Sequence, residues 1–120
     1  MRTLVLGGGG PIGQAVVRAL SGRAAEALWT SRQADPPDGA ADGHVQVDRN
    51  RPDDVARIVR DRRIDTVVDM VAYTTAATHP LLSALQHDLD RYVLVSSCDV
   101  YRSYGLLHKL EEGKIGRAHV

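Results

Sequence analysis

The sequence predicts an α/β fold, a doubly wound parallel sheet with helices on both faces, and three observations support it. Two nearly continuous apolar runs, residues 65–71 and 91–96, have the length and composition of strands that are covered on both faces. Segments with helical spacing alternate with the strand candidates. Four consecutive glycines lie between the first strand candidate and the first helix candidate.

The strand and helix candidates follow one another along the chain. The strand candidates are residues 3–6, 26–30, 44–47, 65–71 and 91–96, and the helix candidates begin at residues 11, 52 and 75. This alternation predicts a βαβαβαβαβ succession with right-handed crossovers and sheet order 3-2-1-4-5, which is a Rossmann-like fold. Residues 33–43 contain two prolines and two glycines, so they predict a surface loop.

Apolar residues at helical spacing predict which face of each helix is buried. The predicted buried positions are Ile12, Ala15, Val16, Ala19 and Leu20 in the first helix, Val55, Ile58 and Val59 in the second, and Leu81, Leu82 and Leu85 in the third. Pro11 and Pro52 suit the first position of a helix, where the N–H that proline lacks has no partner within the helix.

Composition limits the classes of function. The 120 residues fit one domain, and 15 basic and 15 acidic side chains give a formal net charge of zero, so we expect no nucleic-acid partner and no membrane partner. The single cysteine, Cys98, excludes an internal disulfide, and no Cys/His spacing indicates a metal site. The apolar run before Gly7 is too short for a signal peptide or a membrane span, so we expect a cytoplasmic protein.

The glycine-rich loop predicts a dinucleotide-binding site. Gly7 permits a tight turn, Gly10 lets the backbone approach a pyrophosphate, and Gly13 allows the helix to pack closely on the strand. Pro11 and Ile12 begin the helix, whose N-terminal N–H groups attract an anion. A merely flexible turn would not need this spacing between a strand and an amphipathic helix.

The end of the second strand bears on the choice between NADP and NAD. An acidic residue about 20 positions beyond the glycines usually binds the ribose hydroxyls of NAD, whereas an arginine accommodates the 2′-phosphate of NADP. Here the residues are Ser31 and Arg32, and the first carboxylate is Asp35. The sequence therefore favours NADP over NAD, with an ordinary exposed loop arginine as the alternative for Arg32.

The chain resembles the extended short-chain dehydrogenase/reductase superfamily, the NAD-dependent epimerase/dehydratase group, from residue 1 to about residue 112. The resemblance is carried by GGGGPIG at residues 7–13, Val47-Asp48, DTVVDMVA at residues 65–72 and YVLVSSCDVY at residues 92–101.

The resemblance implies further cofactor contacts. Asp48 would accept a hydrogen bond from the adenine amino group with Arg49 beside it, while an Asp48 that caps the next helix is an equal alternative. Met70, Val71 and Ala72 would line the cofactor crevice. The match is loose at Asp69, where the family often has histidine.

The resemblance also implies part of a catalytic site. Ser97, four residues before Tyr101, would hydrogen-bond the substrate oxygen, and Ser96 would lie beside the cofactor; the alternative is that both serines only satisfy loop backbone groups. The family's Tyr-x-x-x-Lys pair, in which lysine lowers the pKa of the tyrosine, does not occur in this chain.

These features predict an incomplete dinucleotide-binding domain over residues 1–112, truncated after the fifth strand, and a non-native tail over residues 113–120. Residues 115–120, IGRAHV, match the translation of a common sequencing-adapter DNA. Truncation after the fifth strand would also explain why the Tyr-x-x-x-Lys pair is missing.

Two functions remain open from the sequence. The first is the NAD(P)-binding part of an oxidoreductase, epimerase or dehydratase acting on a carbonyl or alcohol, with a sugar nucleotide as one substrate class and oligomers allowed. On that hypothesis the chain itself is not catalytically competent. The second is a non-catalytic NAD(P)-sensing protein on the same fold.

Overall fold

The computed structural model describes residues 1–22, 25–71 and 75–95. In chain order the elements are β1 (Arg2–Leu6), α1 (Pro11–Ser21), β2 (Glu26–Ser31), β3 (His44–Gln46), α2 (Pro52–Asp61), β4 (Thr66–Asp69), α3 (Thr75–Leu85) and β5 (Arg91–Leu94). All strand pairs are parallel and their order is β3-β2-β1-β4-β5, which confirms the predicted sheet. The order reverses between β1 and β4, where doubly wound sheets bind their ligands.

Several predictions lie outside the described residues: the roles of Ala72, Ser96 and Ser97, and the tail over residues 113–120. Within the described residues, no helix has both the length and the apolar character that crossing a membrane requires.

Between β2 and β3 the chain forms a loop over residues 32–43, which confirms the loop predicted for residues 33–43. The βαβαβαβαβ succession is therefore wrong at this one connection, which contains no helix. The sequence Asp35-Pro36-Pro37 opposes helix formation, since proline removes N–H donors and disfavours helical backbone in the preceding residue. The loop is held instead by the Arg18 side chain, which donates to the Gly39 carbonyl at 2.7 Å.

Two apolar clusters lie on opposite faces of the sheet. Leu4, Leu6 and Val67 face α2 and α3, whereas Val5 and Trp29 face α1. This division follows the alternation of side chains along a strand. The helices cover the two faces of the sheet, and the loops after the carboxyl ends of the strands lie together at one edge.

The buried face of α1 differs from the prediction. Ile12 is 69% exposed, and Ala15 and Ala19 are exposed as well, while Gly13, Gln14 and Val17 are buried. Gly13 packs closely on the glycine-rich loop after β1, and this face of the helix, with Gln14 and Val17, is the buried one.

Gly13 packs directly on the backbone of the glycine-rich loop. A Cβ at this position would lie 2.7 Å from the Gly8 Cα and 2.9 Å from the Gly8 carbonyl oxygen. Both atoms belong to the backbone, so no side-chain rotation relieves the clash. The structure therefore shows close packing at Gly13, but against the glycine-rich loop and not against the strand as the sequence predicts.

We expect Gly13→Ala to lower the free energy of unfolding by about 1–3 kcal/mol, because the added methyl group forces α1 away from the loop. The matched control is Gly9→Ala, since a Cβ there meets only Trp29 Cζ3, at an ordinary contact distance of 3.6 Å. The control should be at least as stable as the wild type in urea denaturation, because the backbone at Gly9 has no positive φ and alanine restricts the unfolded chain. Equal stability of the two variants would contradict the packing argument.

Asp65 ties the start of β4 to the start of β1. Its Oδ2 accepts the Arg2 backbone N–H at 2.9 Å, and its Oδ1 accepts the Thr66 hydroxyl at 2.7 Å. These two hydrogen bonds favour the carboxylate and hold the pKa of Asp65 below its ordinary value. The ionised form of Asp65 therefore stabilises the two strands that flank the switch point.

A lowered folded-state pKa adds stability above the ordinary pKa of aspartate, and that stability is lost as the pH falls. Asp65→Asn removes the titrating group but keeps a similar shape. Between about pH 6 and about pH 3, the free energy of unfolding should fall less in the variant than in the wild type. Urea denaturation across this range measures both, and parallel curves would show that Asp65 contributes nothing to the acid response.

Candidate functional site

A cavity of about 530 Å³ opens at the carboxyl ends of the central strands. Its lining residues are Gly7, Gly9, Gly10, Thr30, Ser31, Arg32, Val47, Asp48, Arg49, Asn50, Val71 and Ala77. They come from the end of β2, from the segments that follow β1, β2, β3 and β4, and from α3. This is the location at which an open α/β sheet binds ligands.

The floor of the cavity is the turn after β1. Gly7 has φ +72°, a left-handed conformation that favours glycine, and its N–H donates to Thr30 Oγ1 at 3.2 Å. The Gly8 N–H donates to the Thr30 carbonyl at 3.1 Å. Gly10 has open space where a side chain would stand. The turn is thus fixed by its hydrogen bonds to Thr30, and its backbone at Gly10 is accessible to a ligand.

Gln14 and Thr30 support this turn, and the sequence analysis missed both. The buried Gln14 side chain donates to the Gly8 carbonyl and accepts the Ala41 N–H, each at 2.7 Å, so it joins the glycine turn to the loop after β2. The sequence does contain a signal for Gln14, which is a polar residue directly after Gly13. It was not predicted to be buried because it lies outside the apolar face predicted for the helix.

Ser31 and Arg32 lie at the end of β2, where the sequence places the NADP-selecting residues. Arg32 is exposed and its carbonyl accepts the Gln46 side-chain amide at 3.1 Å. The Ser31 Oγ lies 2.7 Å from His44 Nε2. The His44 ring packs against Trp29 with a centroid separation of 4.6 Å, and Trp29 is fully buried in β2.

Asp48 lies at the end of β3 on the cavity wall. Its Oδ1 accepts the Asn50 N–H at 2.9 Å, which shapes the turn before α2. The N-cap of α2 is Arg51 and no side chain caps it, so the capping alternative for Asp48 is wrong. The carboxylate of Asp48 instead belongs to the turn and the cavity.

A second cavity of about 550 Å³ adjoins the first on the outer side of β3. The two share Arg32, Val47 and Asp48, and α2 contributes Asp54 and Arg57 to the second. Space therefore continues past Arg32 toward the edge of the sheet.

A buried ion pair joins Arg49, on the wall of the first cavity, to Asp69 at the end of β4. Arg49 Nη2 lies 2.5 Å from Asp69 Oδ2, and the side chains of Arg49 and Asp69 are 7% and 0% exposed. Arg49 also donates to the Ala77 carbonyl at 2.8 Å and to Thr78 Oγ1 at 2.9 Å. The Tyr92 hydroxyl donates to Asp69 Oδ2 at 2.5 Å. We call these five residues the Arg49–Asp69 network.

The network changes the acid–base properties of its members. Burial by itself lowers the pKa of Arg49, but the hydrogen bond and the charge of Asp69 outweigh it and raise the pKa. Burial and the hydrogen bond to Asp69 raise the pKa of Tyr92 above its ordinary value. Arg49 thus stays a cation and Tyr92 stays protonated.

The cavity brings together seven of the predicted site residues: Gly7, Gly10, Ser31, Arg32, Asp48, Arg49 and Val71. Four others do not line it: Pro11, Ile12, Gly13 and Met70. Met70 packs on the α1 side of the sheet against the cluster around Trp29. In the described part of the chain, no group of three or more His, Cys, Asp or Glu residues could hold a metal ion.

Comparison with curated proteins finds a reductase. The chain is 35% identical over 100 residues to 2′-dehydrokanamycin reductase of Streptomyces kanamyceticus. The match covers 81% of this chain and 28% of the reductase, so the chain spans less than a third of its relative's length.

Comparison with solved structures finds epimerases with the same fold. The UDP-glucose-4-epimerase of Stenotrophomonas maltophila, solved with bound NAD and formylated UDP-arabinopyranose, has a TM-score of 0.69 and 22% identity, over 84% of this chain and 38% of the epimerase. The UDP-glucose 4-epimerase of Thermus thermophilus, in complex with NAD, has a TM-score of 0.58 and 25% identity, over 73% and 34% of the two chains.

The family model described as RmlD substrate binding domain matches residues 1–79, which include the glycine turn, Arg32, Asp48 and the Arg49–Asp69 ion pair. This match shows that the chain belongs to the RmlD substrate binding domain family. The reductase relative and the epimerases with the same sheet show that it has the extended short-chain dehydrogenase/reductase fold.

Proposed function

We propose that the chain binds a nicotinamide dinucleotide in the 530 Å³ cavity, with NADP preferred over NAD, as the cofactor-binding part of a reductase or epimerase. The observation that carries the proposal is the convergence of the glycine turn, Arg32 and Asp48 on one cavity at the switch point of the sheet. Relatives with the same fold have been solved with bound NAD.

The glycine turn has the properties that a pyrophosphate needs. Gly10 is exposed and lacks neighbours in the direction of a side chain, so a phosphate can approach the backbone. Helix α1 begins at the next residue, and its N-terminal dipole stabilises an anion there. Pro11, Ile12 and Gly13 contribute by forming and packing this helix end.

The adenosine half would lie over β2 and β3. Asp48 would accept a hydrogen bond from the adenine amino group, and Ser31 adds a polar side chain to the same cavity wall. Arg32 is exposed and borders both cavities, so its guanidinium can reach a 2′-phosphate at the outer edge. Arg49 forms the inner wall, where its guanidinium is bound to protein groups.

The nicotinamide half would lie on the β4 side, against Val71, with Met70 supporting that wall from the other face of the sheet. We propose that Ala72 and Ser96 extend this wall and that Ser97 orients the substrate oxygen. The bound dinucleotide supplies hydride chemistry at its nicotinamide ring. Tyr92 does not serve as the general acid/base, because its hydroxyl is donated to Asp69 and its pKa is raised.

We propose a carbonyl or alcohol substrate of the sugar or sugar-nucleotide class for the whole protein. The names of the relatives support this class: one is a 2′-dehydrokanamycin reductase, and another was solved with a UDP-sugar. The chain lacks Tyr-x-x-x-Lys, so the activity to test on it is dinucleotide binding and not turnover.

Calorimetric titration of the 120-residue chain with NADPH and NADH tests the proposal. We expect NADPH to bind more tightly, and Gly10→Asp to abolish binding of both, because a carboxylate would occupy the approach to the pyrophosphate. Arg32→Gln should weaken NADPH binding by about tenfold and NADH binding by less than about twofold. Arg62→Gln, an exposed arginine outside the cavity, is the matched control.

The outcomes separate the two parts of the proposal. A folded chain that binds neither dinucleotide would show that this cavity is not a dinucleotide site. Binding of both with equal loss in Arg32→Gln would overturn the NADP preference and leave dinucleotide binding intact.

A further inference from the structure

The Arg49–Asp69 ion pair is a costly feature for a small core. Removing two charges from water carries a desolvation penalty that their attraction offsets only when the geometry is good and the other polar groups are satisfied. Apolar residues of similar size often stabilise a core as well as such a pair. Stability alone therefore gives a weak reason for an ion pair here.

The pair is held in a single geometry. Arg49 reaches Asp69 through two nitrogens, Nη2 at 2.5 Å and Nε at 3.3 Å, and its other hydrogen bonds go to α3. The Tyr92 hydroxyl approaches Asp69 from β5. Because the network joins three separate elements to Asp69, its carboxylate has a fixed orientation.

That carboxylate also controls the backbone that follows β4. Asp69 Oδ1 accepts the Val71 N–H at 3.1 Å. The Val71 side chain sits against the glycine turn, with Cγ1 2.6 Å from the point where a Cβ on Gly7 would lie. Both Gly7 and Val71 line the cavity, so a shift of Asp69 changes the cavity wall.

We propose that Arg49 and Asp69 are positioning residues that set the place of Val71 against Gly7 and thereby the affinity for the nicotinamide half of the dinucleotide. The inference rests on the proposed function. In a doubly wound sheet the two halves of a dinucleotide lie on opposite sides of the switch point, and Val71 follows β4, on the side away from β2 and β3. The adenosine half should therefore depend less on the position of Val71 than the nicotinamide half does.

The test compares NADPH with ADP, which contains only the adenosine diphosphate part. The double variant Arg49→Met/Asp69→Leu replaces both charges with apolar side chains and leaves no unpaired charge. We expect calorimetry to give an NADPH/ADP affinity ratio at least about tenfold lower than in the wild type. Because Arg49 also lines the cavity, a change that is common to both nucleotides cancels in this ratio. Leu81→Ala is the matched control: it lowers stability within the same core cluster but leaves the network intact, so it should not change the NADPH/ADP ratio.

If the double variant does not fold, Tyr92→Phe carries the test, because it removes one hydrogen bond to Asp69 and keeps the aromatic ring. We expect NADPH affinity about threefold lower and ADP affinity unchanged. An unchanged NADPH/ADP ratio in the folded variant would overturn the positioning role. Failure of the folded wild type to bind either nucleotide would instead overturn the proposed function.

Discussion

The ion pair between Arg49 and Asp69 is the contact on which the carboxyl edge of the sheet depends. Arg49 follows β3, Asp69 ends β4, Tyr92 belongs to β5, and Thr78 brings in α3. Breaking a buried pair by removing one partner typically costs about 3–5 kcal/mol, because the other charge remains unpaired. Arg49 also lines the cavity, so one interaction both shapes the site and holds the strand ends together.

Much of the fold could be predicted from local sequence patterns. The apolar runs of β4 and β5, the prolines that begin α1 and α2, and the spacing of the glycines each indicated an element or turn correctly. The sheet order follows from the doubly wound pattern of strands and crossovers. The expectation that β5 is covered on both faces is wrong, because β5 lies at the edge of the described sheet and Val93 and Leu94 are exposed. The rotation of α1 could not be predicted this way. It depends on a steric contact between Gly13 and Gly8, which overrides the apolar pattern that includes Ile12.

The candidate site was predictable to the extent that it lies at strand ends. Ser31, Arg32, Asp48 and Val71 each lie at or just after the end of a strand, and parallel strands deliver their carboxyl ends to one edge. The pairing of Arg49 with Asp69 was not predictable, since the two residues lie 20 positions apart, after β3 and at the end of β4, and two other strands separate β3 from β4 in the sheet. The resemblance was loose at Asp69, and the structure shows that this carboxylate is the partner of Arg49.

Trp29 gives the molecule a property that none of its other residues provides. It is the only tryptophan in the chain, it lies beneath Gly8 and Gly9, and its indole N–H donates to the Ala41 carbonyl at 3.0 Å. One chromophore therefore senses the glycine turn and the loop after β2 together. Its fluorescence is an intrinsic optical signal for rearrangement of either segment, with no label attached to the protein.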